Sequence, residues 1–461
     1  MIQKTVKNGG FLTAVAQKCK NLKELKQTHA HILRCHFAHN PYAIAPLLSA
    51  AATSDDGLLL SYASSIFANL EHRNTFMHNS MIRGAFIEFY SNTREVETAR
   101  LLFDKIPRKD VVLWTAMIDG YGKTGDVQSA RELFDEMPER NVISWSAMMA
   151  AYSRVSNFKE VLALFSEMQN TGTKPNESIL VTVLTACAHL GALMQGLWVH
   201  SYAKRFNLES NPILATALVD MYSKCGCIES ALSVFEAMPY KDTGAWNAMI
   251  SGVALSGDAR KSLELFHQMV INGTKPSETT FVAVLTACTH AKKVEEGLQL
   301  FEEMSSVYGI KPKVEHYACA IDLLSRAGMV EEAENFIEEK MGGLAGGDVN
   351  VWGALLNACR IHKNVDIGNR VWKKLTDMGA ADSGTHVLSY NIYKEAGWDM
   401  EANKVRSKIS EAGMKKKPGC SIIEVNNVVE EFLAGDQSHP QAQEICKLLD
   451  SFLRMVNLED I

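Results

Sequence analysis

The residues of this chain best suited to metal or covalent chemistry are its ten cysteines and fourteen histidines. Two local groups resemble metal sites: Cys225-Gly-Cys227, and the stretch with His29, His31, Cys35, His36 and His39. A closed zinc site needs four converging ligands, usually with short spacings such as Cys-x-x-Cys, and the sequence has no such pair. We therefore expect no metal and no cofactor, and interpret the cysteines as small buried residues of a reducing compartment.

Catalysis would need a nucleophile or an acid–base set brought together by a motif. No such set is recognisable, so we assign no catalytic residues and do not expect an enzyme. We interpret five histidines as isolated helix residues: His189, His200, His290, His316 and His362. The composition, 47% apolar and 22% charged, is that of a folded protein, and no apolar run approaches the roughly 18 residues that span a bilayer.

A repeated signature, an apolar residue followed by Phe-x-x-Met, sets the positions of the structural elements. It recurs in steps of 31 or 35 residues, with one double step, at Phe134, Phe165, Phe235, Phe266 and Phe301. Phe103 extends the series by one step towards the N-terminus, and Trp114 and Trp145 keep the same interval of 31. Fixed periods of this size indicate a stacked array of repeats.

Each repeat has the pattern of two helices. Residues 111–124 place apolar side chains at helical spacing, and DVQSARELFDEM (126–137) does so again. We expect Gly122 and Gly125 to end the first helix and Pro138 to end the second. Two short helices cannot bury both apolar stripes alone, so they pair antiparallel and stack on the next pair, with the Phe and Met residues in the core. The predicted fold class is all-α, an α-solenoid.

These segments resemble the plant pentatricopeptide repeat (PPR) proteins, of the subclass that mixes P, L and S repeats. Residues 111–141, 142–176 and 177–211 are similar to S, P and L repeats, and 212–242, 243–277 and 278–313 repeat the triplet. Residues 314–348 resemble a terminal S repeat, after which the period ends. The resemblance implies a right-handed superhelix of helix-turn-helix repeats.

The resemblance also implies a domain organisation. Residues 1–10 form a short leader, and 11–348 hold about ten repeats, most regular over 111–313 and composite at 75–110. Residues 349–425 resemble the family's E domain and 426–461 its E+ extension. In many relatives a zinc-dependent cytidine deaminase domain follows, but this chain stops at Ile461 without the His-x-Glu and Cys-x-x-Cys ligands of that chemistry. Lysines without acids before Glu24 are compatible with a targeting leader or with surface lysines.

What the resemblance implies for function is sequence-specific recognition of single-stranded RNA, one base per repeat, by the fifth and the last residue of each repeat. The chemistry of that code is consistent with the side chains. A longer Asn amide at the fifth position reaches a pyrimidine, and a shorter Thr or Ser hydroxyl suits a purine. At the last position an ionised Asp only accepts hydrogen bonds and suits uracil and guanine, whereas Asn or Ser satisfies adenine and cytosine.

Applied to each repeat, the code gives the following assignments: Asn79 with Asp110 for uracil, Thr115 with Asn141 for adenine, Ser146 with Asn176 for adenine, Thr216 with Asp242 for guanine, and Asn247 with Ser277 for cytosine. The L repeats, with Val181 and Asn211 or Val282 and Lys313, give no base. The expected core is U-A-A-n-G-C from 5′ to 3′. The second residue of a repeat is expected to wedge between bases, a role that fits Val112, Ile143 and Ile213 but not Gly244.

An alternative interpretation of the same polar residues is helix capping, because Ser, Thr, Asn and Asp are favoured at helix starts. The net charge of −6 also differs from that of a binder dominated by phosphate contacts. Many acids, such as Glu302 and Glu338, fall in second helices, and the basic residues Lys404, Arg406, Lys408 and Lys415 to Lys417 lie near the C-terminus, where a solvated surface is the alternative. We expect binding that depends on base contacts, with modest salt dependence.

Three classes of function compete. The first is a specificity factor for C-to-U editing of RNA in mitochondria or chloroplasts, which recruits a deaminase or other editing proteins in trans through residues 349–461. Within the same family, a factor for RNA stability or splicing is the alternative. The second class is a protein-binding helical scaffold, and the third an enzyme. Alternation of 31 and 35 residues disfavours a tetratricopeptide scaffold, whose period is 34.

Overall fold

The computed structural model describes residues 22–34, 44–48, 57–70, 77, 95–104, 106, 109–341, 349–379, 381–411, 419–425, 428–436 and 439–459. The chain divides into two compact units, Met1–Ala186 and Cys187–Ile461. Within the part of the chain that the structure describes, none of the helices combines the length and apolar character that crossing a bilayer requires.

Helices account for most of the described residues, and 44–48 are also helical. In chain order the elements are α1 Leu22–Arg34, α2 Gly57–Ala68, α3 Glu95–Asp104, α4 Val111–Thr124, α5 Val127–Glu136, α6 Val142–Arg154, α7 Phe158–Asn170, α8 Glu177–Leu190, α9 Leu193–Arg205, α10 Pro212–Lys224, α11 Ile228–Ala237, α12 Thr243–Leu255, α13 Ala259–Ile271, α14 Glu278–Ala291, α15 Val294–Ser306, α16 Val314–Arg326, α17 Val330–Met341, α18 Val349–Ile361, α19 Val365–Asp377, α20 Ser383–Glu395, α21 Asp399–Glu411, β1 Cys420–Val425, β2 Val428–Leu433 and α22 Ala442–Glu459.

The helices pair into hairpins that stack within each unit. First helices of successive hairpins pack side by side: α4 with α6 in the first unit, and α10, α12, α14, α16, α18 and α20 in series in the second. Second helices make far fewer direct contacts with one another. The signature residues Phe134, Phe165 and Phe266 and their Met partners are buried, so the stripe is core as predicted. The predicted helical solenoid is confirmed.

The role of Gly122 differs from the prediction. Gly125, at φ +85°, ends α4 as expected, but Gly122 lies inside the helix and is buried. A Cβ added there would lie 2.5 Å from the Cβ of Ala151 and 3.1 Å from its Cα in α6. The glycine therefore allows α4 and α6 to approach closely, which helix-breaking propensity alone does not reveal.

The helical hairpins continue beyond residue 348, where the period of the sequence signature ends. First helices begin at 314, 349 and 383, although the Phe-x-x-Met signature is lost. One apolar cluster runs from Ile321 in α16 through Trp352 in α18 and Trp372 in α19 to Val405 in α21. The last helices of the repeat array and the hairpins α18–α19 and α20–α21 therefore share a core.

A short sheet follows these helices, which the all-α prediction did not include. Strands β1 and β2 pair antiparallel, with Cys420 opposite Leu433 and Val425 opposite Val428. The Glu424 carboxylate in β1 accepts a hydrogen bond of 3.0 Å from the Met194 N–H at the start of α9. The strand hairpin thus contacts a repeat hairpin more than two hundred residues earlier in the sequence.

Some of the described cysteines are buried, as predicted, and others are exposed. Cys187, Cys288 and Cys359 are buried, and burial raises the pKa of Cys288 to about 11 and that of Cys359 to about 12. Cys420 and Cys446, however, are exposed. Among the described residues, no group of three or more His, Cys, Asp or Glu side chains is placed to hold a metal ion. Cys19, Cys35, His36 and His39 lie outside the described residues.

Candidate nucleic-acid interface

The last residue of each predicted repeat caps the first helix of the next. Asp110 accepts from the Leu113 N–H at 2.8 Å, Asp242 from the Ala245 N–H at 2.8 Å, and Ser277 from the Thr280 N–H at 3.3 Å. The Oδ1 atom of Asn141 accepts from the Ile143 and Ser144 N–H groups, and that of Asn176 accepts from the Ile179 N–H, each at 3.0 Å. Helix capping is therefore realised at every described last residue that was assigned a base.

Capping also determines which hydrogen-bonding group of each capping side chain stays available for another partner. In Asn141 and Asn176 the oxygen faces backbone N–H donors, so the amide NH₂ remains as a donor. In Asp242 only Oδ1 is used, and no donor in the described chain reaches Oδ2, which remains an acceptor. The cap thus holds a donor outward in Asn and an acceptor outward in Asp. This is the distinction that separates amino from keto bases, so capping and base recognition are compatible.

The fifth residues lie one turn further along the same helices. The Thr115 hydroxyl donates to the Val111 carbonyl at 2.7 Å, and the Ser146 hydroxyl lies 3.4 Å from that of Ser178. The Thr216 hydroxyl oxygen is buried without a hydrogen-bond partner in the described chain.

One predicted pair is in direct contact. The Asn247 Nδ2 donates to the Ser277 Oγ at 3.0 Å, and its Oδ1 accepts from the Thr280 Oγ1 at 2.5 Å. No hydrogen bond joins the members of the pairs Thr115–Asn141, Ser146–Asn176 or Thr216–Asp242, all of which are described. Sequence reasoning missed Thr280, although its place three residues after Ser277 is the spacing of a capping box.

The second residues are exposed apolar side chains. Val112 is 45% exposed, Ile143 59% and Ile213 68%, each in the first turn of a first helix. Packing does not account for these residues, because the neighbouring apolar positions of the same helices are buried. An apolar side chain held in solvent beside a polar cap is suited to contact a flat apolar surface such as a base.

The predicted positions that remain are Asn79 and those of the L repeats. Asn79 lies outside the described residues, so the uracil assignment remains a prediction. In the L repeats, Asn211 caps α10 and Val181 is half-buried in α8, whereas Lys313 forms an ion pair with Glu278. The Lys313 side chain is thus engaged within the protein.

The acids of the second helices form ion pairs between successive hairpins. Lys340 pairs with Glu302, Lys374 with Glu338, and Arg370 with Glu334. The pairs of Lys340 and Lys374 are exposed and contribute little individually, whereas Glu334 is mostly buried. These ion pairs nevertheless place acidic residues in the row of second helices, away from the caps of the first helices. Lys404, Arg406 and Lys408 are exposed in α21, and Lys415 to Lys417 lie outside the described residues.

Sequence models of known families match five segments of the chain. The PPR repeat matches residues 112–142, the PPR repeat family 140–189, and the pentacotripeptide-repeat region of PRORP 214–359. The E motif matches residues 362–424 and the E+ motif residues 429–454. The repeat matches cover the hairpins that carry the caps, and the E+ match covers β2 and most of α22.

Known proteins of similar sequence come from Arabidopsis thaliana. Pentatricopeptide repeat-containing protein At5g66520 is 42% identical over 93% of this chain and 79% of its own length. Putative pentatricopeptide repeat-containing protein At5g59200, chloroplastic, is 38% identical over 97% of this chain and 93% of its own. Protein At2g22410, mitochondrial, is 43% identical over 78% of this chain and 53% of its own.

Among solved structures, the pentatricopeptide repeat protein PPR10 in complex with an 18-nt psaJ RNA element is similar with a TM-score of 0.49 and 16% identity, over 89% of this chain and 70% of that chain. Two of the sequence relatives, At5g66520 and At5g59200, match over more than nine tenths of this chain and over 79% and 93% of their own lengths. The chain therefore belongs to the pentatricopeptide repeat proteins and carries PPR repeats followed by E and E+ motifs.

Proposed function

We propose that the chain binds single-stranded RNA sequence-specifically along the first turns of its first helices. The observation that carries this proposal is that three capping side chains, Asn141, Asn176 and Asp242, each keep one defined hydrogen-bonding group after capping. Exposed apolar residues stand beside helix caps at Val112, Ile143 and Ile213. A protein-binding scaffold has no need for a defined donor or acceptor at these caps, which makes it the weaker alternative.

We propose further that the chain is a specificity factor for organellar RNA processing and that this processing is C-to-U editing. The E and E+ matches support this role, since in the resembling family a deaminase domain often follows these regions. We propose that the chain recruits a deaminase or other editing proteins in trans through residues 349–461, the part that contains the E and E+ matches. Relatives named chloroplastic and mitochondrial support either organelle. A role in RNA stability or splicing would use the same RNA contacts without a deaminase.

Selection of bound RNAs from a random pool tests the RNA-binding proposal. We expect enrichment of A-A-n-G-C in register with the hairpins from 111 to 277, preceded by uracil if the Asn79–Asp110 unit follows the code. We also expect a log–log salt slope no steeper than about −5, because the protein is acidic overall and base contacts dominate. A pool without enrichment, or a steeper slope for the selected RNA, would contradict this mode of binding.

Removal of residues 412–461 tests the recruitment proposal. This deletion begins after α21, whereas deletion from residue 349 would expose the core that Ile321 and Leu324 share with Trp352. We expect RNA affinity to be retained and editing in an organelle extract to be abolished. The deletion also removes the Glu424 contact to Met194, so full-length Glu424→Ala is the matched control and should edit normally. Equal loss of binding and editing in the truncated chain would argue against separate roles.

A further inference from the structure

A buried phenylalanine lies at three junctions between repeats, those that follow residues 75–110, 111–141 and 212–242. Phe103, Phe134 and Phe235 each meet the edge-on ring of a tryptophan in the next first helix, with ring centroids 4.8, 4.9 and 4.9 Å apart. The tryptophans are Trp114, Trp145 and Trp246, which occupy the fourth position of the next repeat. We call these three sites the S junctions.

A cation covers the same ring at every S junction. The distance from the cation to the ring centroid is 4.9 Å for Lys109, 4.6 Å for Arg140 and 5.1 Å for Lys241. Each cation also donates to a backbone carbonyl near the end of the second helix: Lys109 to Ile106 at 3.0 Å, Arg140 to Phe134 at 3.1 Å, and Lys241 to Met238 at 2.8 Å. The ring face and the carbonyl end of a helix both favour positive charge, so each half-buried cation has a defined position.

The sequence position of these cations connects them to the RNA interface. Each immediately precedes the last residue of its repeat, in Lys109-Asp110, Arg140-Asn141 and Lys241-Asp242. The backbone at the last residue of the repeat is therefore held on its N-terminal side by the cation and on its C-terminal side by the capping hydrogen bonds. At the junctions after P and L repeats, the preceding residue is Pro175, Ser210, Pro276 or Pro312, without a cation.

We infer that Lys109, Arg140 and Lys241 are positioning residues for base selection, which fix the orientation of the last residue at S junctions. This inference rests on the proposed RNA-binding function. Through these residues S repeats discriminate between bases more sharply than P repeats. The effect operates through the protein backbone, so the cations act without neutralising a phosphate.

Lys241 is the best residue for a test. Arg140 also pairs with Asp135 and Glu167, so its replacement would disturb an ion-pair network. Lys241, in contrast, has no carboxylate partner in the described chain, and its repeat holds the Thr216–Asp242 unit assigned to guanine.

Three substitutions of Lys241 separate its charge from its other contacts. Lys241→Met removes the charge but keeps much of the apolar stem, Lys241→Gln keeps a donor for the Met238 carbonyl, and Lys241→Arg keeps the cation. Lys275→Met, in the next repeat, is the control for an exposed lysine.

The experiment measures affinity for four RNAs that differ only at the base opposite the Thr216–Asp242 unit, together with the salt slope. We expect Lys241→Met and Lys241→Gln to lower the preference for guanine over adenine about fivefold, comparable to the loss of one partly buried cation–π contact. The salt slope should be unchanged, Lys241→Arg should restore the preference, and Lys275→Met should have no effect.

Two results would overturn the inference. A slope reduced by about one with unchanged base preference would show that Lys241 contacts a phosphate. Unchanged preference and slope with a lower melting temperature would show a purely structural role. If the wild-type chain does not distinguish the four bases at the Thr216–Asp242 unit, the proposed function itself fails. If the wild-type chain prefers guanine and Lys241→Met keeps that preference, only the inference about Lys241 fails.

Discussion

Gly122→Ala should destabilise the chain by about 1–3 kcal/mol, because the new methyl group would overlap the Cβ and Cα of Ala151 in α6. Neither atom is at the end of a flexible side chain, so relief requires α4 and α6 to move apart. The midpoint of denaturant unfolding, followed by far-UV circular dichroism, measures the effect. Midpoints are the safer quantity, since repeat arrays need not unfold in two states. The same displacement should weaken RNA binding, because Asp110 and Asn141 cap these two helices.

Gly353→Ala is the matched control for this substitution. Gly353 also lies within a first helix, α18, but a Cβ there would meet no described atom within 4 Å apart from the nearby backbone of its own helix. Alanine is the better helix former, so this variant should be stabilised by up to about 1 kcal/mol. If both variants shifted the midpoint in the same direction, the close approach of α4 and α6 would not be what requires glycine at position 122.

Thr216→Asn should change the base preferred at its repeat from guanine to uracil. The last residue, Asp242, still offers an acceptor to the imino N–H of either base, so only the purine-to-pyrimidine choice should reverse. Asn247 occupies the equivalent position of α12 and bonds the last residue of its own repeat, which shows that the fifth position of a repeat can hold an Asn side chain. Competition among RNAs that differ at one position should show a change of about 1–3 kcal/mol between the two bases, the usual range for one base-reading contact pair.

Ile213→Ala in the same helix provides the control for Thr216→Asn. Ile213 is exposed and is expected to pack against bases without distinguishing them. Its replacement should therefore weaken binding of all four RNAs alike and leave their order unchanged. A Thr216→Asn chain that keeps the wild-type order would reject the code for this repeat, even if its overall affinity fell.

The sequence was sufficient to predict the hairpins, because their determinants are local. Apolar spacing, capping residues and the glycine at 125 specify where α4 and α5 begin and end, and the 31 and 35 residue steps carry that pattern along the chain. The same spacing predicted that the Phe and Met stripe is buried. It also placed Val112, Ile143 and Ile213 in the first turns of helices, where the structure finds them exposed.

Only the tertiary structure decided which atoms of these residues remain available and which helices touch. The sequence left capping and base reading as alternatives at Asn141 and Asp242, and the direction of the cap bonds makes them compatible. The reason is physical: a propensity describes one residue and its neighbours, whereas the close approach at Gly122, the core shared beyond residue 348 and the Glu424 contact to Met194 each join atoms that are distant in the chain. Local spacing thus sets the helices, and packing between them determines what their polar ends can bind.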